Sequence, residues 1–141
     1  MKVKVFIDTN VFIYGFEYEK SNSAKIIELI NQGKIEAYVN LRVLKEITHY
    51  FRKYYSRNQS NKLVVYLLES CNLVYPNQYQ EETNALKGKI KEKDLEQIAA
   101  TKTLGLKWLI SYDRDFKPFT EYKTPKQFLK ELGIKEQKTE Y

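Results

Sequence analysis

Lys4-Val5-Phe6-Ile7-Asp8-Thr9-Asn10-Val11-Phe12-Ile13 is a near-continuous apolar run broken by one carboxylate and two small polar residues. A strand buried on both faces reads this way, apolar throughout and running straight into a turn. A carboxylate at the mouth of such a strand loses hydration, a cost that stands unless something positive meets it. In an open parallel sheet, ligands bind in the crevice beyond the carboxyl ends of the strands. Asp8 is therefore the first candidate corner of an acidic cation site. Its other corners must come from elements that end or begin at the same edge.

Composition sets the frame. At 141 residues the chain is expected to form a single domain over 1–134, followed by a polar tail over 135–141 that frays. Apolar and charged fractions of 43% and 30% are those of a globular protein. No apolar stretch approaches the roughly 18 residues a membrane helix needs. The first residues lack the basic head, apolar core and small-residue cleavage site of a signal peptide. The sole cysteine, Cys71, has no internal partner and reads as a buried small hydrophobe. A reducing, cytoplasmic location is the expectation. Net charge is +6; basic chains often meet nucleic acid, because neutralising phosphates releases counterions, although many basic domains bind none.

Along the chain, Val11 to Phe16 reads as a short helix or turn. Ser21 caps a helix over about 22–31 that Gly33 stops. A short strand over 36–40 leads into a long helix over 41–55, with Leu44, Ile47, Thr48 and Phe51 on one face. Residues 56–60 break it, and another helix covers about 61–69. Leu73-Val74-Tyr75 is a third strand before Pro76, and 78–90 is helical but weakly patterned. Asp94 opens a helix ended by Gly105, and 107–111 is the second strongly apolar strand. Glu121-Tyr122-Lys123 adds a fifth, edge strand. Thr124 and Pro125 cap and start a final helix.

Strands alternating with helices argue for an α/β fold with a parallel sheet and right-handed crossovers. Each strand then ends at the carboxyl edge, and the helix preceding each strand starts there. Asp8 and Asp113 lie just past two strands, and Asp94 lies at the start of a helix leading into one. Glu46 is about one and a half turns into its helix, roughly 8 Å below the rim at 1.5 Å per residue. These acids, far apart in sequence, converge on one edge. Packed carboxylates repel, so either their pKa values rise or a cation holds them. Oxygen ligands without His or Cys suit Mg²⁺ or Mn²⁺, with positions left for water and phosphate oxygens. Such an ion activates water and offsets charge on a phosphate in transfer.

The stretches V-F-I-D-T-N-V-F-I, L-K-E-I, K-D-L-E-Q-I-A-A-T-K and L-I-S-Y-D-R-D-F, in this order and spacing, resemble those of PIN-domain nucleases across essentially the whole chain. The resemblance implies a three-layer α/β/α sandwich whose five-stranded parallel sheet has the order 3-2-1-4-5. It makes Asp8, Glu46, Asp94 and Asp113 the acidic quartet. Asp8, Asp94, Asp113 and Asp115 are then the metal-binding residues, Asp115 as an auxiliary acid. Thr9, Asn10 and Ser111 match positions that orient ligands or water; Ser111 stands where Thr is commoner and keeps the hydroxyl. Metal-dependent cleavage of RNA is the activity it implies. The small single-domain form is most similar to a VapC-type toxin, with an antitoxin protein as partner and a homodimer as assembly. A stand-alone RNA-processing nuclease and a non-catalytic module binding RNA or protein remain open alternatives.

Blander readings stand beside these. Asp94 with Gln97 three residues on reads equally as a helix capping box. Asp8 reads as a helix cap, Glu46 as a solvated acid, and Asp113 and Asp115 as turn acids. His49 follows Glu46 by three residues, but one Glu-x-x-His without a second copy makes no di-iron site. Tyr50, Phe51, Tyr54 and Tyr55 with Arg52, Lys53 and Arg57 form a basic–aromatic run able to stack on single-stranded RNA, or to serve core and dimer contacts. Lys91 and Lys93 read as solvated surface charge. A phosphatase with an aspartyl nucleophile is disfavoured, because Asp8-Thr9-Asn10 lacks a second Asp two residues on.

Overall fold

The strand β1 (Val3–Ile7) sits at the centre of the sheet, with Val5, Phe6 and Ile7 wholly buried. The computed structural model describes residues 2–139. On one side β1 pairs in parallel with β2 (Ile35–Asn40), which pairs with β3 (Asn72–Val74). On the other side it pairs with β4 (Trp108–Ile110), which pairs with β5 (Tyr122–Lys123). The order is therefore 3-2-1-4-5 and every pairing is parallel, as the family resemblance implies.

Right-handed crossovers decide which face each helix covers. The chain moves outward from β1 to β3 through α1 (Thr9–Glu17), α2 (Asn22–Asn31), α3 (Leu41–Tyr54) and α4 (Arg57–Ser70), which share one face. It then returns across the sheet to β4 through α5 (Pro76–Leu86) and α6 (Glu92–Thr103), on the opposite face. The last helix, α7 (Pro125–Glu131), packs against α2. The reversal of strand order falls between β1 and β4, the position beyond whose strand ends open parallel sheets bind ligands.

Local chemistry explains most boundaries. Asn40 ends β2 and caps α3 at once, its Oδ1 accepting the Val43 N–H at 3.0 Å. Ser21 and Thr124 cap α2 and α7 in the same way, Thr124 within a capping box with Gln127. Gly33 and Gly105 stop α2 and α6 with φ of 69° and 59°, a conformation that costs other residues a steric clash.

The structure differs from the sequence expectations at several element boundaries and at the tail. Helix α4 starts at Arg57 rather than near residue 61, because the Ser56 hydroxyl accepts the Gln59 N–H at 3.0 Å and caps it. The expected break over 56–60 is thus a single tight joint, reinforced by the Ser60 hydroxyl donating to the Thr48 carbonyl across α3 and α4. Helix α1 is fuller than a turn and begins at Thr9, capped by Asp8. The tail, as far as Thr139, is tied down: Gln137 N–H donates to Asn22 Oδ1 at 2.6 Å, and Asn22 Nδ2 donates to the Thr139 carbonyl at 3.1 Å.

Asn40 couples a strand end to the helix that carries Glu46, and it is fully buried. Asn40→Ala is expected to lower the unfolding free energy by about 1–2 kcal/mol, measured by urea denaturation, through loss of the cap.

Candidate active site

Asp8 is placed by three elements at once. Its backbone N–H donates to the Ile110 carbonyl at 3.0 Å, extending the β1–β4 ladder past the last strand residue. Oδ1 accepts the Thr9 N–H at 2.8 Å and Gln97 Nε2 at 3.4 Å, while Oδ2 accepts the Ser111 hydroxyl at 2.8 Å. Burial pushes its pKa up, the hydrogen bonds from Ser111 and Thr9 pull it back, and the nearby charge of Glu46 adds to the rise. The Ser111 oxygen in turn accepts the Asp113 N–H at 3.0 Å and Asn10 Nδ2 at 3.3 Å, and Asn10 Oδ1 accepts the Tyr112 N–H at 3.2 Å. Thr9, Asn10 and Ser111 thus brace the acids.

Asp94, Asp113 and Asp115 lie together at the same edge, their nearest carboxylate oxygens all within 4.8 Å of one another. Asp94 is the third residue of α6 and is 4% exposed; Asp113 and Asp115 flank the start of the 3₁₀ turn Arg114–Phe116 that follows β4. Buried Asp94 Oδ2 has no hydrogen-bond partner among the described residues. Burial, followed by the charge of Asp113, raises the Asp94 pKa to about 6. Burial would raise Asp113 too, but the Asp115 N–H on its Oδ1 at 2.9 Å and the Lys93 ammonium prevail and lower it. Asp94 also senses the charge of Asp8, so the fourth acid belongs to the same field. Glu46 stands apart on α3, exposed, its Oε1 accepting the Thr9 hydroxyl at 2.7 Å. It joins the others through Thr9 and through its field at Asp8, not by contact with the cluster.

Two groups have functions that sequence reasoning gave to neither. Lys93 Nζ lies 3.1, 3.6 and 3.8 Å from Asp113, Asp94 and Asp115, and Lys91 lies 3.1 Å from Asp115. These lysines are counter-charges to the acids rather than idle surface. Gln97 supports Asp8 and forms no capping box with Asp94, because the N-cap of α6 is Lys91, three residues before Asp94. The available signal was spacing: Gln97 is one turn beyond Asp94 on the same helix face. His49 is exposed on α3 and outside the acid cluster.

The donor set fits a hard divalent cation. It is made of carboxylates alone, it includes a buried oxygen without a hydrogen-bond donor, and its charge is only partly met by lysines.

The comparisons with known proteins agree with this architecture. The family described as "PIN domain" matches residues 4–115. A toxin–antitoxin complex from Klebsiella pneumoniae aligns over 86% of this chain and 97% of its own, with 20% identity and a TM-score of 0.69. DNA-bound VapBC from Salmonella typhimurium aligns over 87% and 98%, with 13% identity and a TM-score of 0.70. The Mycobacterium tuberculosis toxin VapC20, which cleaves the sarcin–ricin loop, aligns over 83% and 95%, with 12% identity and a TM-score of 0.64. At these identities the likeness is one of fold. A search of curated protein sequences finds no significant match.

Asp94 generates a stability prediction. Its folded-state pKa of about 6 lies above the 3.8 of an unperturbed aspartate, so the folded protein holds this proton more tightly than the unfolded chain does. The resulting stabilisation is full at low pH and is lost as pH rises through about 6, leaving a repelled carboxylate at neutral pH. In chelator, Asp94→Asn is expected to stabilise the protein by about 1–2 kcal/mol at pH 7.5 and by little at pH 4, followed by thermal denaturation. An equal effect at both pH values would remove the electrostatic account.

Proposed function

From the premise that the chain belongs to the PIN-domain family, we propose that it is a Mg²⁺- or Mn²⁺-dependent endoribonuclease, the toxin of a toxin–antitoxin pair. The observation that carries this reading is the gathering of Asp94, Asp113 and Asp115 within 4.8 Å, beside buried Asp8, at the reversal point of the sheet. Asp8, Asp94 and Asp113 would hold the ion, with Asp115 at its side. When bound, a divalent ion lowers the pKa of a water and offsets charge on the phosphate under attack.

The chain's own residues do the positioning. Ser111 fixes the Asp8 carboxylate by its hydroxyl and the Asp113 backbone by its oxygen, so one side chain sets the spacing between two ligands. Asn10 locks the start of α1 to the segment after β4. Glu46, anchored by the Thr9 hydroxyl, supplies a further acid at the open rim. Lys91 and Lys93 limit repulsion among the acids, and the +6 net charge attracts the polyanion that the crevice alone repels.

The toxin assignment is supported by the fold shared with toxin–antitoxin complexes from Klebsiella pneumoniae and Salmonella typhimurium. The same likeness supports an antitoxin partner, and a homodimer is proposed as the assembly. No helix among the described residues is long and apolar enough to cross a membrane.

Asp8→Asn and Asp94→Asn are each expected to reduce Mg²⁺- or Mn²⁺-dependent cleavage of RNA at least about 100-fold, with the far-ultraviolet circular dichroism spectrum unchanged. Chelator is expected to silence the parent protein, and Mn²⁺ to restore it. Wild-type rates from either variant, or undiminished cleavage in chelator, would end this assignment.

A further inference from the structure

A groove of about 500 Å³ lies between α1 and α3, with Thr9 and Glu46 in its lining. Ile13 of α1 contributes to its apolar lining, as do Tyr50 and Tyr54 of α3. The basic–aromatic run of α3 is divided by this arrangement. Phe51 turns into the core and is 2% exposed, whereas Tyr54 is 60% exposed, a large ring left in solvent.

The ring pair is held in place. Tyr50 and Tyr54 have centroids 4.8 Å apart at 49°, and Lys53 Nζ lies 5.2 Å from the Tyr54 centroid. The Tyr50 phenol donates to Glu17 Oε2 at 2.8 Å, and the Tyr55 phenol donates to the same oxygen at 2.7 Å. The carboxylate raises the Tyr50 pKa to about 12, so the phenol stays a donor at every pH of interest. A surface aromatic whose neighbour is pinned has already lost part of the freedom that binding would otherwise remove.

The groove's chemistry selects its occupant. A largely apolar groove suits an aromatic ring, and the two lysines in its lining, Lys45 and Lys53, make no ion pair among the described residues. Rings with anionic links on either side are what single-stranded nucleic acid offers. Thr9 and Glu46, hydrogen-bonded to each other in its lining, set the groove beside Asp8, the neighbour of Thr9 in the chain.

We infer that this groove seats an unpaired nucleobase next to the bond being cleaved, stacked on Tyr54 with Tyr50 behind it and the adjoining phosphates on Lys45 and Lys53. The inference rests on the nuclease reading for the word "cleaved" but not for the binding itself. It makes Tyr54 a determinant of preference for unpaired RNA, since a base inside a duplex cannot enter the slot.

Fluorescence anisotropy of a labelled, short single-stranded RNA tests it, against Asp8→Asn protein and, as a second background, wild-type protein in chelator. Tyr54→Ala is expected to weaken binding about tenfold, and Tyr54→Phe, which keeps the ring, to retain it. Lys45→Gln and Lys53→Gln are each expected to reduce the slope of log affinity against log salt by about 0.7, while Tyr54→Ala leaves that slope unchanged. A fully paired duplex of the same sequence should not sense Tyr54→Ala. Unchanged single-strand affinity in Tyr54→Ala would overturn the inference. So would an equal loss on duplex, or a loss of dimer by sedimentation with RNA affinity intact, which would give the groove to a second copy of the chain. Wild-type cleavage, measured in parallel, separates the two readings. Tyr54-dependent binding without cleavage removes the nuclease and leaves the base slot, whereas cleavage indifferent to Tyr54→Ala does the reverse.

Discussion

Burying a carboxylate where the central strand leaves the sheet is the constraint that organises this protein. Asp8 follows three wholly buried residues and is itself only 5% exposed, so its charge has no bulk water to lean on. Its partners come instead from α1 (Thr9), α6 (Gln97) and the end of β4 (Ser111). Those elements lie on both faces of the sheet and at its switch point. The hydrogen bonds that make Asp8 tolerable therefore exist only once the sheet has its full order, and site and fold are assembled by the same contacts.

The neighbouring acids show how one field yields opposite outcomes. Asp94 and Asp113 repel each other, yet Asp113 is held low and Asp94 is driven up to about 6. The difference is local. Asp113 receives a backbone N–H and a lysine at 3.1 Å, while buried Asp94 Oδ2 receives no hydrogen bond. A buried oxygen with no hydrogen bond, a repelling neighbour and only the Lys93 ammonium at 3.6 Å gives up stability in exchange for a place where further positive charge is favoured. Lys93, in reach of three of these acids, supplies part of that charge from within the chain.

Much of this was visible in the residues, and the exceptions have physical causes. The apolar runs at Val5–Ile7 and Trp108–Ile110 announced the two central strands, because a strand covered on both faces cannot carry polar residues. Ser21 and Thr124 marked helix starts through the same oxygen-to-amide chemistry that the structure displays. Ser56 carried an equally clear cap, obscured by six following polar residues that lower helical patterning without preventing a helix. Gln97 fitted a local capping box on spacing, but the chain begins α6 earlier and frees it for Asp8, a partner 89 residues away. No local pattern encodes that choice.

The sequence by itself determined the order of strands and helices, and with it the edge at which Asp8, Asp94 and Asp113 had to emerge, because hydrophobic periodicity and handed crossovers leave few alternatives. Tertiary structure alone decided how those acids divide their labour. It drew Asp94, Asp113 and Asp115 into one cluster, left Glu46 linked through the Thr9 hydroxyl, and turned Lys93 from surface charge into their counter-ion. It also pointed Tyr54 outward beside buried Phe51, from one run of aromatic residues. The reason is that charge interactions and burial depend on distances of a few ångströms between segments far apart in the chain, and those distances are set only when the layers pack.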